Sequence, residues 1–197
     1  MALSKDLSRD KVVDTALAIL RKHGLAALSM RQVAASLGVQ PSALYWHVES
    51  KQELLAQIAD RILTKSATTR SSLPTEERIK KQAVDIRTAL LTVRDGAEVV
   101  SFAQAFRPLE NSPARTLHRT LQVIVPEPAA EWGAQTLAHY ILGEVAEEQN
   151  YAELTRAGIR SGDHSLAPSV ERFLFGVQAI FDGLTHPNRP APKERRA

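Results

Sequence analysis

The sequence predicts an all-α fold: a small helical head carrying a helix-turn-helix, followed by a larger helical body. Three observations lead there. No segment of the 197 residues sustains a period-two alternation of apolar and polar side chains. Apolar residues recur instead three and four positions apart, in successive stretches separated by Gly and Pro. Residues 29–51, SMRQVAASLGVQPSALYWHVESK, fit two short helices around a glycine turn, with no residue to spare.

Residues 8–23 read as the first helix. Ser8 is a fair N-cap, Asp10 lies in the first turn, Val12, Val13, Ala16, Leu17 and Leu20 form one stripe, and Gly24 ends it. Ser29 and Gln32 then show the spacing of a capping box. Val33, Ala34 and Leu37 share a face, Gly38 supplies the reversal, and Pro41 restarts a helix, since a missing N–H costs nothing in a first turn. Leu44 and Val48 point inward, which leaves Ser42, Ala43, Tyr45 and His47 largely outward. Small Ala34 allows the close approach that two helices joined by so short a turn require. An outward set of small residues, an aromatic, an imidazole and, at the end, Lys51 suits a DNA groove and its phosphates. A hairpin used only for packing has no use for Tyr45, Trp46 and His47 in so short a helix.

Ser50 and Glu53 repeat the capping-box spacing and open a helix to about residue 66, with Leu54, Leu55, Ile58, Ile62 and Leu63 buried. Anchored beside the recognition helix and ending in the body, it would move the head as a unit. Residues 67–75, rich in Ser and Thr, form the connection. A capped helix over 75–93 places Glu76 and Glu77 in its first turn and Ile79, Ala83, Ile86, Leu90 and Leu91 inward; Asp95-Gly96 breaks it. Residues 97–106 make a short apolar segment stopped by Arg107-Pro108, and 113–125 a helix with Leu117, Leu121 and Ile124 inward. The longest helix is 129–156, entered past Pro126 and Pro128, and a loop over 157–168 leads to the last helix within 166–184. Both are apolar on more than one side: Leu137, Ile141, Val145 and Ala146 on one, Phe173, Leu174, Val177, Ile180, Phe181 and Leu184 on the other. That surplus predicts a twofold four-helix interface with a second copy, near 129–156 and 168–185.

The expected organisation is a DNA-binding head over 1–50, a connecting helix and linker over 51–72, a ligand-binding and dimerisation domain over 73–189, and a disordered basic tail over 190–197. Hydrophobic residues make up 44% of the chain, enough for a sizeable core, and the absence of cysteine excludes disulfides, thiolate metal sites and cysteine nucleophiles. No apolar run approaches the roughly 20 residues of a membrane span, and a cytoplasmic protein is expected. The net charge is +3, with the excess at the motif end: residues 1–66 hold nine Lys+Arg against six Asp+Glu, residues 67–192 thirteen against fifteen. No HExxH, di-iron Glu-x-x-His pair or glycine-rich phosphate loop occurs, so an enzyme is not expected. His139 with Glu144, Glu147 and Glu148 is the one acid/base cluster, read as a pocket rim or dimer contact.

LGVQPSALYWHVESKQELL resembles the signature of the tetracycline-repressor (TetR) family, and LYWHV is close to the tetracycline repressors themselves. ALLTVRDGAEV, AHYILGEVAEEQ and FLFGVQAIFDGL resemble segments of their regulatory domain. The resemblance implies a homodimeric regulator of double-stranded operator DNA, released by a small molecule. It assigns Arg31 to a guanine, with Met30 beside it, and Tyr45, His47 and Lys51 to thymine methyl or phosphate groups. The next base-reading positions are altered, to Pro41, Ser42 and Ala43, which implies a different operator.

In the body, Arg107 matches a residue that faces the drug pocket and Glu147 an acidic residue near its metal. The position of the magnesium-ligating histidine is Val100, that of the aromatic pocket residue Ile86, and that of an amide donor Gln82, with three extra residues between Val100 and Arg107. Further pocket candidates are Leu90, Phe102, Phe106, Leu121 and Ile141, with Gln104, Trp132, His139, Tyr140 and Glu144 as polar groups. The expectation is a ligand-responsive repressor without a cofactor or metal site of its own. Its inducer is partly apolar and is not magnesium-tetracycline; an activator, or a ligand-independent regulator of the same fold, is the alternative.

Overall fold

The computed structural model describes residues 7–64, 72–159 and 169–186. These form nine α-helices and one 3-10 turn, with no strand among the described residues. The head comprises α1 (Arg9–His23), the 3-10 turn Leu25–Ala27, α2 (Met30–Leu37) and α3 (Pro41–Leu44). α4 (Lys51–Leu63) leads into a body of α5 (Thr75–Leu91), α6 (Gly96–Phe106), α7 (Pro113–Leu121), α8 (Ala129–Arg156) and α9 (Val170–Thr185).

Local signals set most helix starts. Ser8, Ser29, Ser50, Ser112 and Ser169 each accept a hydrogen bond from the backbone N–H three residues on. At Ser50 only half of the expected capping box forms in this way, because the Glu53 carboxylate turns to Gln57 and Arg107 instead. α5 departs from expectation: Pro74 precedes it and no side chain caps it.

α7 ends at Leu121, short of 125, so Ile124 is exposed and Val125 takes the buried place expected of it. α9 is described from Val170. The far end of the connecting helix, most of the 67–75 and 157–168 connections and the 190–197 tail lie outside the described residues.

One hydrophobic cluster runs from head to body. In the head Val12, Ala16, Leu20, Leu28, Val33, Leu44 and Val48 close a small core. α4 belongs to both halves: Leu54, Leu55, Ile58, Ile62 and Leu63 are buried as the stripe predicts, and Ala56 and Ala59 are buried too, so α6 packs closely on its other side. Each fully buried Leu or Ile contributes about 1.5–3 kcal/mol relative to exposure, so neither half is free to leave α4. In the body α7 packs on α8, and α8 on α9, where Tyr140 stacks on Phe173 at 5.8 Å and donates its hydroxyl to the Phe173 carbonyl at 3.1 Å. Arg87 lies over the Phe173 ring and pairs with Glu148.

Candidate nucleic-acid interface

The reading surface is built by α2, the turn after it and α3. Ser29 Oγ accepts from the Gln32 N–H at 3.1 Å and starts α2. Gly38 ends it at φ 67°, a left-handed conformation that carries a steric penalty for any residue with a Cβ. The Gly38 and Val39 N–H groups close the turn on Ala35 and Ala34. Pro41 occupies the first position of α3, and the N–H groups of His47 and Val48 continue the coil onto the Leu44 carbonyl. Leu44 and Val48 are buried, which fixes the opposite face outward.

On that face Arg31, Ser42 and Tyr45 are exposed, while Pro41, Ala43, His47 and Lys51 are half-buried at its edges. Met30 does not belong to it. Its side chain is buried with the head core at the start of α2. Trp46, which the sequence sets apart from packing but not among the DNA contacts, is 89% exposed. The signal was available: Trp46 lies midway between inward Leu44 and Val48, and an indole left in water needs a partner.

Two ties hold this surface to the rest of the head. Arg9 Nε donates to the His47 carbonyl at 3.1 Å, joining α1 to the end of the recognition segment. Arg61 of α4 reaches Asp10 and Asp14 of α1 at 2.7 and 2.8 Å.

Two further ties join the body to the head and to α4, which carries it. The Leu25 N–H donates to Asp95 Oδ2 at 2.6 Å across the turn between α5 and α6. Asp95 is itself left-handed at φ 58°. Gly24 is required at this junction: its φ is +77°, and a Cβ there would lie 2.7 Å from Asp95 Oδ2. Gln149 of α8 fixes the same turn, donating to the carbonyls of Leu90 and Val93 and accepting from the Ala97 N–H.

The second tie is Arg107, expected from the resemblance to face the ligand pocket. Its guanidinium is instead engaged with α4, 3.0 Å from Asp60 and 3.2 Å from Glu53, and Asp60 also accepts from the Glu110 N–H. Burial alone would raise the Glu53 pKa, but hydrogen bonds from Gln57 and Arg107 and the nearby Arg107 and Arg9 charges hold it below the ordinary value. Burial would lower that of Arg107, and the two carboxylates keep it raised.

Among the remaining body residues, Ile86, Leu90, Val100, Leu121 and Ile141 are buried on four different helices. Gln82 lies among the buried residues of α5, 7% exposed, with an Oε1 that accepts no hydrogen bond among the described residues. Gln104, Tyr140 and Glu144 are half-buried. Phe102 and Phe106, expected in the pocket lining, are 44% and 47% exposed on the outer side of α6. Trp132, His139 and Glu147 are exposed on α8. Within one chain these five therefore lie at the surface. The described residues contain no group of three or more His, Cys, Asp or Glu placed to hold a metal ion.

Residues 12–58 match the family model for bacterial regulatory proteins of the tetR family. The tetracycline repressor protein class E of Escherichia coli is 31% identical over 176 residues, covering 88% of this chain and 82% of that protein. The chain belongs to the TetR family. Crystal structures agree. BioQ of Mycobacterium smegmatis superposes with a TM-score of 0.82 at 35% identity over 91% of this chain and 98% of its own. BioQ with its double-stranded DNA operator gives 0.75, at 35% identity over 92% and 99%. A TetR variant from Acinetobacter baumannii AYE in complex with minocycline gives 0.76, at 29% identity over 94% and 100%. This TetR-family chain thus has a helix-turn-helix head on a helical regulatory body, and its relatives are transcriptional regulators rather than enzymes. No helix among the described residues is long and apolar enough to cross a membrane.

Proposed function

We propose that this chain is a ligand-responsive transcriptional repressor that binds a palindromic operator as a homodimer and is released by a small, partly apolar inducer other than magnesium-tetracycline. One observation carries the reading: α4, which supports the recognition segment, is clipped by Arg107 to the end of α6. A ligand that shifts α6 therefore shifts the head. Two heads read half-sites about 34–36 Å apart or a multiple of it, and a ligand that favours another separation weakens DNA binding by the same factor as DNA weakens the ligand.

The reading set is Arg31, Pro41, Ser42, Ala43, Tyr45, Trp46, His47 and Lys51. The domain division is 1–50, 51–72, 73–189 and 190–197. Exposed Trp132 on α8 and Phe175 on α9, 62% and 75% accessible, support a twofold interface through these helices. Gly143 and Gly183 beside them open onto empty space where a second copy can approach closely. Such a copy would also cover His139 and Glu147 of α8. The BioQ–operator and minocycline complexes support DNA and a small molecule as the two partners. The open acceptor on Gln82 calls for an inducer with a hydrogen-bond donor.

The test is a gel shift comparing an inverted repeat from the DNA adjoining its own gene with a random duplex of equal length, with candidate inducers titrated in. Preference for the repeat by a dimer, abolished by an apolar ligand and unaffected by magnesium-tetracycline, is expected. Equal affinity for both duplexes by a monomer would remove the reading. Micromolar binding of magnesium-tetracycline would remove the ligand assignment alone.

A further inference from the structure

A cleft at the junction of head and body belongs to neither surface described above. It encloses about 470 Å³ between Arg21 and Lys22 at the end of α1, Thr92 and Arg94 at the end of α5, and Glu153 and Arg156 at the end of α8. Its charges do not balance. Arg94 and Arg156 share the single carboxylate of Glu153. Glu148, the other acid on its wall, gives both oxygens to Arg87. Arg21 and Lys22 form no ion pair among the described residues. Four cations against the one carboxylate that serves them leave three positive charges in excess.

Basic residues do gather in the last turns of helices, where the carbonyl ends attract them. That effect is too small here: each helix end carries roughly half a negative charge, so the ends of α1, α5 and α8 together offset about one and a half of the three. The remainder is focused in a cleft with protein walls.

We propose that this cleft binds a compact polyanion of the oligophosphate class, held between Arg21 and Lys22 of the head and Arg94 and Arg156 of the body. Its volume falls within the range of about 300–1,000 Å³ usual for small-ligand sites. Operator DNA does not account for it. α1 runs 15 residues, about 22 Å at the usual helical rise; its first residue, Arg9, holds the recognition segment, and the cleft lies at its opposite end. An anion bridging the two halves would hold the head in its present orientation, beside the contact from Leu25 to Asp95. Binding of the anion is a property of the chain whether or not it acts as a repressor.

Isothermal titration calorimetry of the full chain with sodium tripolyphosphate, free of divalent cations and at matched ionic strength, tests this. One saturable site per chain is expected. The double variant Arg21→Gln/Lys22→Gln, at two exposed positions, should weaken it about tenfold or more. Glu153→Gln should tighten it, because Arg94 and Arg156 are then released to the ligand. Absence of a saturable heat at millimolar concentration would overturn the proposal, and so would weaker binding by Glu153→Gln. Binding that survives Arg21→Gln/Lys22→Gln but disappears in Arg31→Ala/Lys51→Ala would place the anion on the DNA face and overturn it equally.

Discussion

Asp95 Oδ2 accepts the Leu25 N–H at 2.6 Å, across 70 residues of sequence, and so docks the corner after α1 onto the turn between α5 and α6. Alanine at this position leaves the Leu25 N–H without its partner and keeps a Cβ at positive φ without a side chain that eases it. Asp95→Ala is expected to lower the unfolding free energy by about 1–3 kcal/mol and to weaken operator binding more than it weakens random-duplex binding, since only the former needs a fixed head orientation. Urea titration and gel shift read the two effects. An operator affinity equal to that of the parent would show that this contact does not position the head.

The Arg107 clip makes the joint between α4 and α6 sensitive to acid. Glu53 titrates below its ordinary value in the folded chain, so its contribution to stability is present above the unfolded pKa and is lost as the pH falls through the folded one. Acidification from neutral to below about pH 4.5 should therefore lower the urea midpoint, and Arg107→Gln should show a shallower loss than the parent. Parallel pH profiles for the two proteins would mean that the pair contributes nothing.

Arg31 and Lys51 should separate by what they do to sequence preference. Arg31→Ala is expected to cost about 1–3 kcal/mol and to relax one base position, while Lys51→Ala weakens all duplexes alike and flattens the salt dependence. Equal losses on operator and random DNA for both variants would contradict the assignment.

Gln82 offers a test of the proposed inducer site that leaves the DNA surface untouched. Replacing a buried amide whose oxygen has no partner by an isosteric apolar side chain is close to neutral for folding. Gln82→Leu should keep its thermal midpoint and its operator affinity but require far more inducer for release. An unchanged inducer titration would take Gln82 out of the site.

Local chemistry was readable from the sequence, and long-range approach was not. Ser8, Ser29 and Ser50 cap their helices because a cap is decided within three residues. α8 begins and ends where the sequence places it, since prolines precede it and its apolar stripe is long. The stripe of α4 was likewise correct in every residue. Arg107 could not be placed, because its partners lie 47 and 54 residues earlier and are brought near only when α6 settles on α4. The same holds for Asp95 and Leu25. Periodicity misjudged Ile124 because α7 stops sooner than its pattern, handing the buried position to Val125. Met30 was assigned by its neighbour Arg31, although consecutive helical residues point about 100° apart.

Because α4 fills its two sides with different neighbours, the head is not a cassette. A chimaera that grafts residues 1–64 onto a foreign regulatory body would inherit Ala56, Ala59, Asp60 and Glu53 without the α6 surface and the arginine that match them. Such a hybrid will fold and respond only if the recipient's equivalent of α6 is exchanged along with the head, so drift in either helix constrains the other.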